Sequence, residues 1–398
     1  MQDVKQISDL KIRASFGISG NNRIGNYSAI GLLSTGFYPT GDAVQNAVNP
    51  STMANDDLGW ERTRQYNLGF ELGLFNNRIR LEGDFYDSQS IDLLLNVPVP
   101  TITGYSTQMQ NIGKVQNRGM EFTLNTKNLT GEFAWSSNFN ISFNKNKVLE
   151  VGVDGRPIYG SAANANNAFI TKPGYPIASF YGYKYIGVFQ SEEELAKYPH
   201  LSGDKVGDGR YEDVNKDGVL DQNDKTILGD NNPLFTAGFS NSFSYKNFTL
   251  DIQFTGSYGA EVFSFYKRMC GIYHGDRNGM IEQLGRWQSK DQPGDGIHFR
   301  PTRTPSGWQR DPSSAWVQDA SYLRLRNLTL GYNFDQKVLD KMKMKGLRLY
   351  VTGQNLFTIT NYVGYDPETS SESGLAQGGD YLGYPAARSF IIGANITF

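Results

Sequence analysis

Cysteine is nearly absent from this chain. Cys270 is the only one in 398 residues, which excludes an intramolecular disulfide framework. Histidine is almost as scarce. His200, His274 and His298 have no His or Cys partner at metal-ligand spacing, and all fall between strand-like segments. No apolar run approaches the roughly 20 residues that a membrane helix needs, so any passage through a bilayer must be made by β structure. The opening MQDVKQISDL lacks the apolar stretch of a signal peptide, so the chain either stays in the cytoplasm or lacks its true beginning. Charge of one sign is also missing: 38 Lys plus Arg stand against 40 Asp plus Glu, which gives nucleic acid no electrostatic footprint. Glycine in GDGRYEDVNKDG and GQNLF lacks the strand-to-helix setting of a phosphate loop. No carboxylate pair or nucleophile stands out, so the chain is not read as an enzyme.

Aromatics and glycine are plentiful instead, at 13% and 44 residues. They fall in segments of period two. In RQYNLGFELGLF, Tyr66, Leu68, Phe70, Leu72 and Leu74 share one face; after Asn76 and Asn77, NRIRLEGDFY resumes with Ile79, Leu81, Gly83 and Phe85. RGMEFTLN pairs with EFAWSSNFNISF, and PLFTAGFSNSFSY with FTLDIQFTGS, across links rich in turn residues. LKIRASFGIS, YLRLRNLTLGYNF, LRLYVTGQNLF and the terminal RSFIIGANITF bring the count to ten strands. A shift of the apolar set in YLRLRNLTLGYNF predicts a bulge near Asn327. Links near 75–78, 128–131, 245–247 and 335–346 are short, the last with a helical turn in KVLDKMKMK. Those at about 19–63, 96–116, 148–232, 256–315 and 359–387 are long.

Short and long links therefore alternate along the chain. A soluble sandwich alternates apolar and polar residues too, but its loops have no reason to be long at one end only. Transmembrane barrels put apolar residues outward on strands of about 9–11 residues, with short turns on one side and long loops on the other. The opposite faces here carry Glu82, Asp84, Asp251 and Gln253, as a wetted lumen would. Tyr66, Trp135 and Tyr245 near strand ends suit an interfacial girdle. If YGYKYIGVF at 181–189 also spanned the membrane, the assignment of sides would shift by one.

LKIRASFGISGNN, LGWERTRQYNLGFELGLFNNRI, NIGKVQNRGMEFTL, SFYGYKYIGVFQ, DVNKDGVLDQNDKTILGDNNP, SYLRLRNLTLGYNF and LRLYVTGQNLFTITNYVGYDPE resemble, in this order, the C-terminal part of SusC/RagA-type TonB-dependent outer-membrane transporters. The blocks run from about Leu10 to Phe398. The resemblance implies an all-β, antiparallel transmembrane barrel portion: ten strands of about 22, with long extracellular loops and with plug and N-terminal domains absent. It implies import of oligosaccharides or oligopeptides in a bacterial outer membrane, with a SusD-like surface lipoprotein and a TonB complex reached through the missing N-terminal region. It also implies that a strand ending on Phe398 is an assembly signal.

One stretch carries ligand geometry. Against the calcium-loop pattern D-x-[DN]-x-[DN]-G-x5-E, DVNKDGVLDQND places Asp213, Asn215 and Asp217 at positions 1, 3 and 5. Gly218 supplies the bend, Val219 a carbonyl, Asp221 position 9 and Asp224 position 12. Asp at the last position reaches less far than Glu, and the flanks do not suit a helix–loop–helix switch, so the expectation is a structural calcium clip on an outer loop. The alternative is an Asx-rich turn capping its own backbone. In the 256–315 loop, Tyr266, Tyr273, Trp287 and Trp308 among several arginines are candidates for substrate or lid contact, or for packing the loop on itself. Two rival readings stand beside the transporter: a secreted soluble β-sandwich that binds glycan and calcium, and a secreted β-rich hydrolase.

Overall fold

The computed structural model describes residues 6–22, 24–152, 155–162, 165–271, 278–301, 312–369 and 374–398. Ten strands form one sheet in which each pairs antiparallel with its sequence neighbour. They are β1 (Ile7–Asn21), β2 (Glu61–Leu74), β3 (Ile79–Pro98), β4 (Thr107–Thr130), β5 (Phe133–Glu150), β6 (Phe235–Tyr245), β7 (Phe248–Tyr258), β8 (Tyr322–Asn333), β9 (Gly346–Thr360) and β10 (Ser389–Thr397). The sheet is open, with β1 and β10 at its edges.

Register puts the period-two faces together. Ile12 faces Phe70, Phe139 faces Phe239, and Leu250 stands between Phe243 and Leu330. This apolar row is not a core. Phe16, Leu68, Phe85, Phe239, Phe248, Leu330, Phe390 and Ile392 are all exposed, Phe248 by 52% and Ile392 by 85%. Burial normally stabilises such side chains by about 1.5–3 kcal/mol each, and only an apolar medium recovers that for a row left bare. The sandwich reading fails here, since its apolar face would be the dry inside. Aromatic rings gather toward the short-turn end: Trp135 on Phe243 at 5.7 Å, Phe248 on Tyr332 at 4.9 Å, Tyr332 on Phe334 at 5.1 Å. Asn241 breaks the apolar row, and its carbonyl oxygen accepts from Trp135 Nε1 (3.0 Å) and Ser137 Oγ (2.7 Å), so the polar group is satisfied in place.

The short links fall where the turn residues predict. Phe75, Asn76 and Asn77 all adopt left-handed backbone conformations in the β2–β3 turn, and Lys246 does so between β6 and β7. The bulge is present, with Arg326 as the extra residue beside Asn327, and the helical turn runs from Gln336 to Met342. One long link is much shorter than the composition suggests. The 96–116 stretch continues the β3–β4 ladder to Pro98 and Thr107, past a register break at Ser90–Leu94 where Asp92 has φ 60°. Glycine, Asn and Gln there read as loop, yet the hydrogen-bonded ribbon simply extends beyond the apolar band.

The remaining long links are built rather than loose. Leu33–Thr40 and Ala43–Pro50 form a separate hairpin. Within 148–232, strands Ile158–Ala162, Ala165–Thr171, Ser179–Gly182 and Thr226–Gly229 make a four-stranded sheet. The 181–189 segment is divided between that sheet and a pair formed by Tyr185–Val188 with Gly209–Tyr211, so it adds no strand to the ten-stranded sheet and the count of sides does not shift. The dry core of the molecule lies in these loops. Phe169, Phe180, Phe263, Phe265 and Trp316 are almost wholly buried, with Phe169–Phe180 centroids at 5.6 Å and Phe263–Phe265 at 5.1 Å.

Candidate functional site: the polar face and its loop roof

The polar face begins with charge. Arg13 of β1 reaches Glu71 of β2 at 2.5 Å through Nη1 and Asp84 of β3 at 2.5 Å through Nη2. Lys11 and Arg80 also bind Glu71, at 3.3 and 2.7 Å, and Arg80 binds Glu82 at 2.9 Å. Three cations thus share a carboxylate that is only 9% exposed. Gly69 makes this possible, because a Cβ there would lie 2.4 Å from Asp84 Oδ1 and 2.7 Å from Arg13 Nε. Further round the sheet the same face is mostly neutral: Asn138 donates to Asn125 (2.6 Å), Asn327 to Gln253 (2.8 Å), and Thr329 meets Thr352 at 2.8 Å. Asp251 accepts from Ser242 at 2.6 Å. Expected lumen residues Glu82, Asp84, Asp251 and Gln253 therefore share this face.

The loop roof is tied to the wall at the upper end of β8. Arg324, 2% exposed, donates from Nη2 to Asp366 (2.6 Å), from Nε to Thr358 (2.9 Å), and from Nη1 to Glu368. Glu368 also accepts from Arg326 (2.5 Å) and Tyr322 (2.6 Å). The bulge at Arg326 supplies the second arginine. Burial of Asp366 opposes its charge, but the amides of Ala386 and Glu368 and the Arg324 guanidinium outweigh it and hold the carboxyl below its usual range. Sequence reasoning missed this clamp, although RLR and YDPE both lay in stretches it had marked.

The predicted calcium ligands lie on one bend, exposed at Asn215, Asp217 and Val219 and buried at Asp224. Lys216 and Gly218 take positive φ. Asp213 accepts from the Lys216 and Gly218 amides at 2.7 and 2.9 Å, Asn215 from Asp217, Asp217 from Val219, and Asp221 from Asn223. Asp224 is fully buried and accepts from Val214, Asn215 and Asp221. Among the described residues, no group of three or more His, Cys, Asp or Glu side chains is arranged to hold a metal ion. The carboxylates cap their own backbone, as the Asx-turn alternative requires.

Of the aromatic candidates, Tyr266 stacks on Tyr365 (centroids 6.1 Å apart), and the Trp287 ring covers Gly207, where a Cβ would come within 2.4 Å of it. Tyr273 and Trp308 lie outside the described residues. Neither Tyr266 nor Trp287 lines the roof cavity of about 350 Å³, which is walled instead by Tyr185, Lys267, Gln283, His298, Phe299 and Trp316. Burial lowers the Lys267 ammonium there and Glu282 partly offsets it; burial likewise pushes the Tyr185 phenol up. His298 pairs with Asp295 at 2.5 Å.

An all-antiparallel sheet with a bare apolar face, a polar reverse, and folded loops at one end only is the wall of an outer-membrane β-barrel. Comparison with known proteins gives the family. The model of the TonB dependent receptor-like β-barrel matches residues 7–356, and the chain belongs to that family, in its SusC/RagA-type branch. TonB-dependent receptor P3 of Formosa agariphila is 36% identical over the whole chain, and TonB-dependent receptor SusC of Bacteroides thetaiotaomicron is 30% identical. The structure of the RagAB peptide transporter superposes with a TM-score of 0.81 at 26% identity, covering all of this chain and 42% of that one. The chain spans about 40% of the length of the curated relatives it matches. Its place is the outer membrane.

Proposed function

We propose that this chain forms part of an importer that takes oligosaccharides or oligopeptides across the outer membrane. It would be energised through TonB and would work with a SusD-like surface lipoprotein. The observation that carries the reading is the polar face. Its Asn, Gln, Ser and Thr side chains, interrupted by neutralised charge, offer a hydrogen-bonding wall to a hydrated solute, and a roof is fastened above it. Import of this kind is gated passage without bond chemistry, and relatives named as receptors and transporters favour a non-enzymatic role. Deleting the gene should abolish growth on at least one oligosaccharide or peptide mixture while monomers still support it, and the purified protein should bring a lipoprotein with it. Unimpaired growth on every oligomer tested would overturn the reading.

The calcium site belongs to the same proposal. Asp213, Asp217, Asp221 and Asp224 sit within one loop, with no ion pair to any of them among the described residues. A bound cation would neutralise them and stiffen an outer bend, with Asn215 and the Val219 carbonyl completing an oxygen set.

A further inference from the structure

Above the apolar band on the same outward face, the side chains change to cations. Arg118 of β4 stands directly opposite Lys145 of β5, with Gln116 opposite Lys147. Like charges in register are unfavourable unless an anion joins them. Arg118 is paired with Asp87 at 2.5 Å, but Lys145 and Lys147 are exposed and have no ion pair or hydrogen bond among the described residues. Beneath them opens a groove of about 490 Å³ whose apolar walls include Phe85, Met120, Phe143 and Leu234. Phe85 and Leu234 are 44% and 65% exposed, and Phe143 leans on Phe235 at 6.0 Å. Asp230 also borders the groove, with its Oδ1 engaged by the Asn232 amide and side chain.

We propose that this groove binds a phosphate-bearing, acylated lipid of the outer leaflet. Its acyl chain would lie against Phe85, Met120 and Phe143, and its phosphate between Lys145 and Lys147. The groove is continuous with the lipid-facing band, its cations stand at the long-loop end where headgroups would lie, and its two free ammonium groups complement an anion. The inference rests on the outward orientation of the apolar row.

The test uses the protein extracted from outer membranes into mild detergent, incubated with lipopolysaccharide and examined by native mass spectrometry. Wild type should retain bound lipid, and Lys145→Gln with Lys147→Gln should retain at least threefold less, whereas Lys337→Gln, an exposed lysine of the Gln336–Met342 helical turn, should match wild type. Dephosphorylated lipid should bind the wild type as weakly as intact lipid binds the double variant. Equal retention by wild type and double variant overturns the site, as does displacement by inorganic phosphate at equal phosphorus concentration. A double variant that still runs as a folded band in unheated electrophoresis shows that lost retention is not lost folding, and the outward orientation is tested separately by Leu250→Arg.

Discussion

Arg324 and Asp366, 42 residues apart in sequence, meet at 2.6 Å where the roof joins the wall. Both are largely shielded, with side-chain exposures of 3% and 12%. The pair is the centre of a clamp that also takes in Glu368. Arg324→Ala would strip Asp366 of its guanidinium partner while Glu368 keeps Arg326, and should cost roughly 3–5 kcal/mol of local stability. The readout is limited proteolysis of residues 361–387, which should be cleaved at least tenfold faster. Arg326→Gln, at the exposed side of the clamp, should change the rate far less.

The same clamp has a defined acid limit. Asp366 is depressed when folded, so it adds stability above the ordinary aspartate pKa near 3.9, and that stability is lost as pH falls through the lower folded value. Protease resistance of 361–387 should therefore hold from pH 7 to 5 and decline only below about pH 4. Loss between pH 7 and 6 would place the controlling group elsewhere.

Adjacent positions on β7 face opposite media. Leu250→Arg should destabilise the protein in lipid by roughly 2–4 kcal/mol if it lies near the midplane. Asp251→Asn keeps an acceptor for Ser242 and should be close to silent. Urea-driven unfolding from liposomes measures both, and equal sensitivity would reverse the face assignment.

Calcium can be tested by calorimetric titration. Wild type should bind the ion weakly, as extracellular modules do, in the range of about 10⁻⁴–10⁻³ M. Asp213→Ala with Asp217→Ala should abolish the heat. An identical isotherm for the pair would leave only the self-capped turn.

In the roof, Phe169 touches Phe180, Phe263 and Phe265. Phe169→Ala should cost about 3–5 kcal/mol. Because the ten-stranded ladder does not depend on that cluster, loop proteolysis should rise while heat-modifiable mobility of the barrel persists.

These sites differ in how well the sequence foretold them. Leu250 and Asp251 were legible because period two persists over a whole strand and needs no partner to be recognised. The bulge at Arg326 was legible from a broken alternation. The Arg324 clamp and the Phe169 cluster were not, because their partners lie far along the chain and share no periodicity. The β3–β4 extension was hidden for another reason: beyond lipid, hydrogen bonds keep a ribbon together without any apolar signature.

Glu71 holds Lys11, Arg13 and Arg80 within 3.3 Å, so the wall's strongest charges are spent on one another. A solute moving past meets a quilt of small opposing dipoles in place of a field of one sign. A stretch of wall balanced in this way projects little net field, so within this chain any preference for charged solutes would have to come from the roof above it.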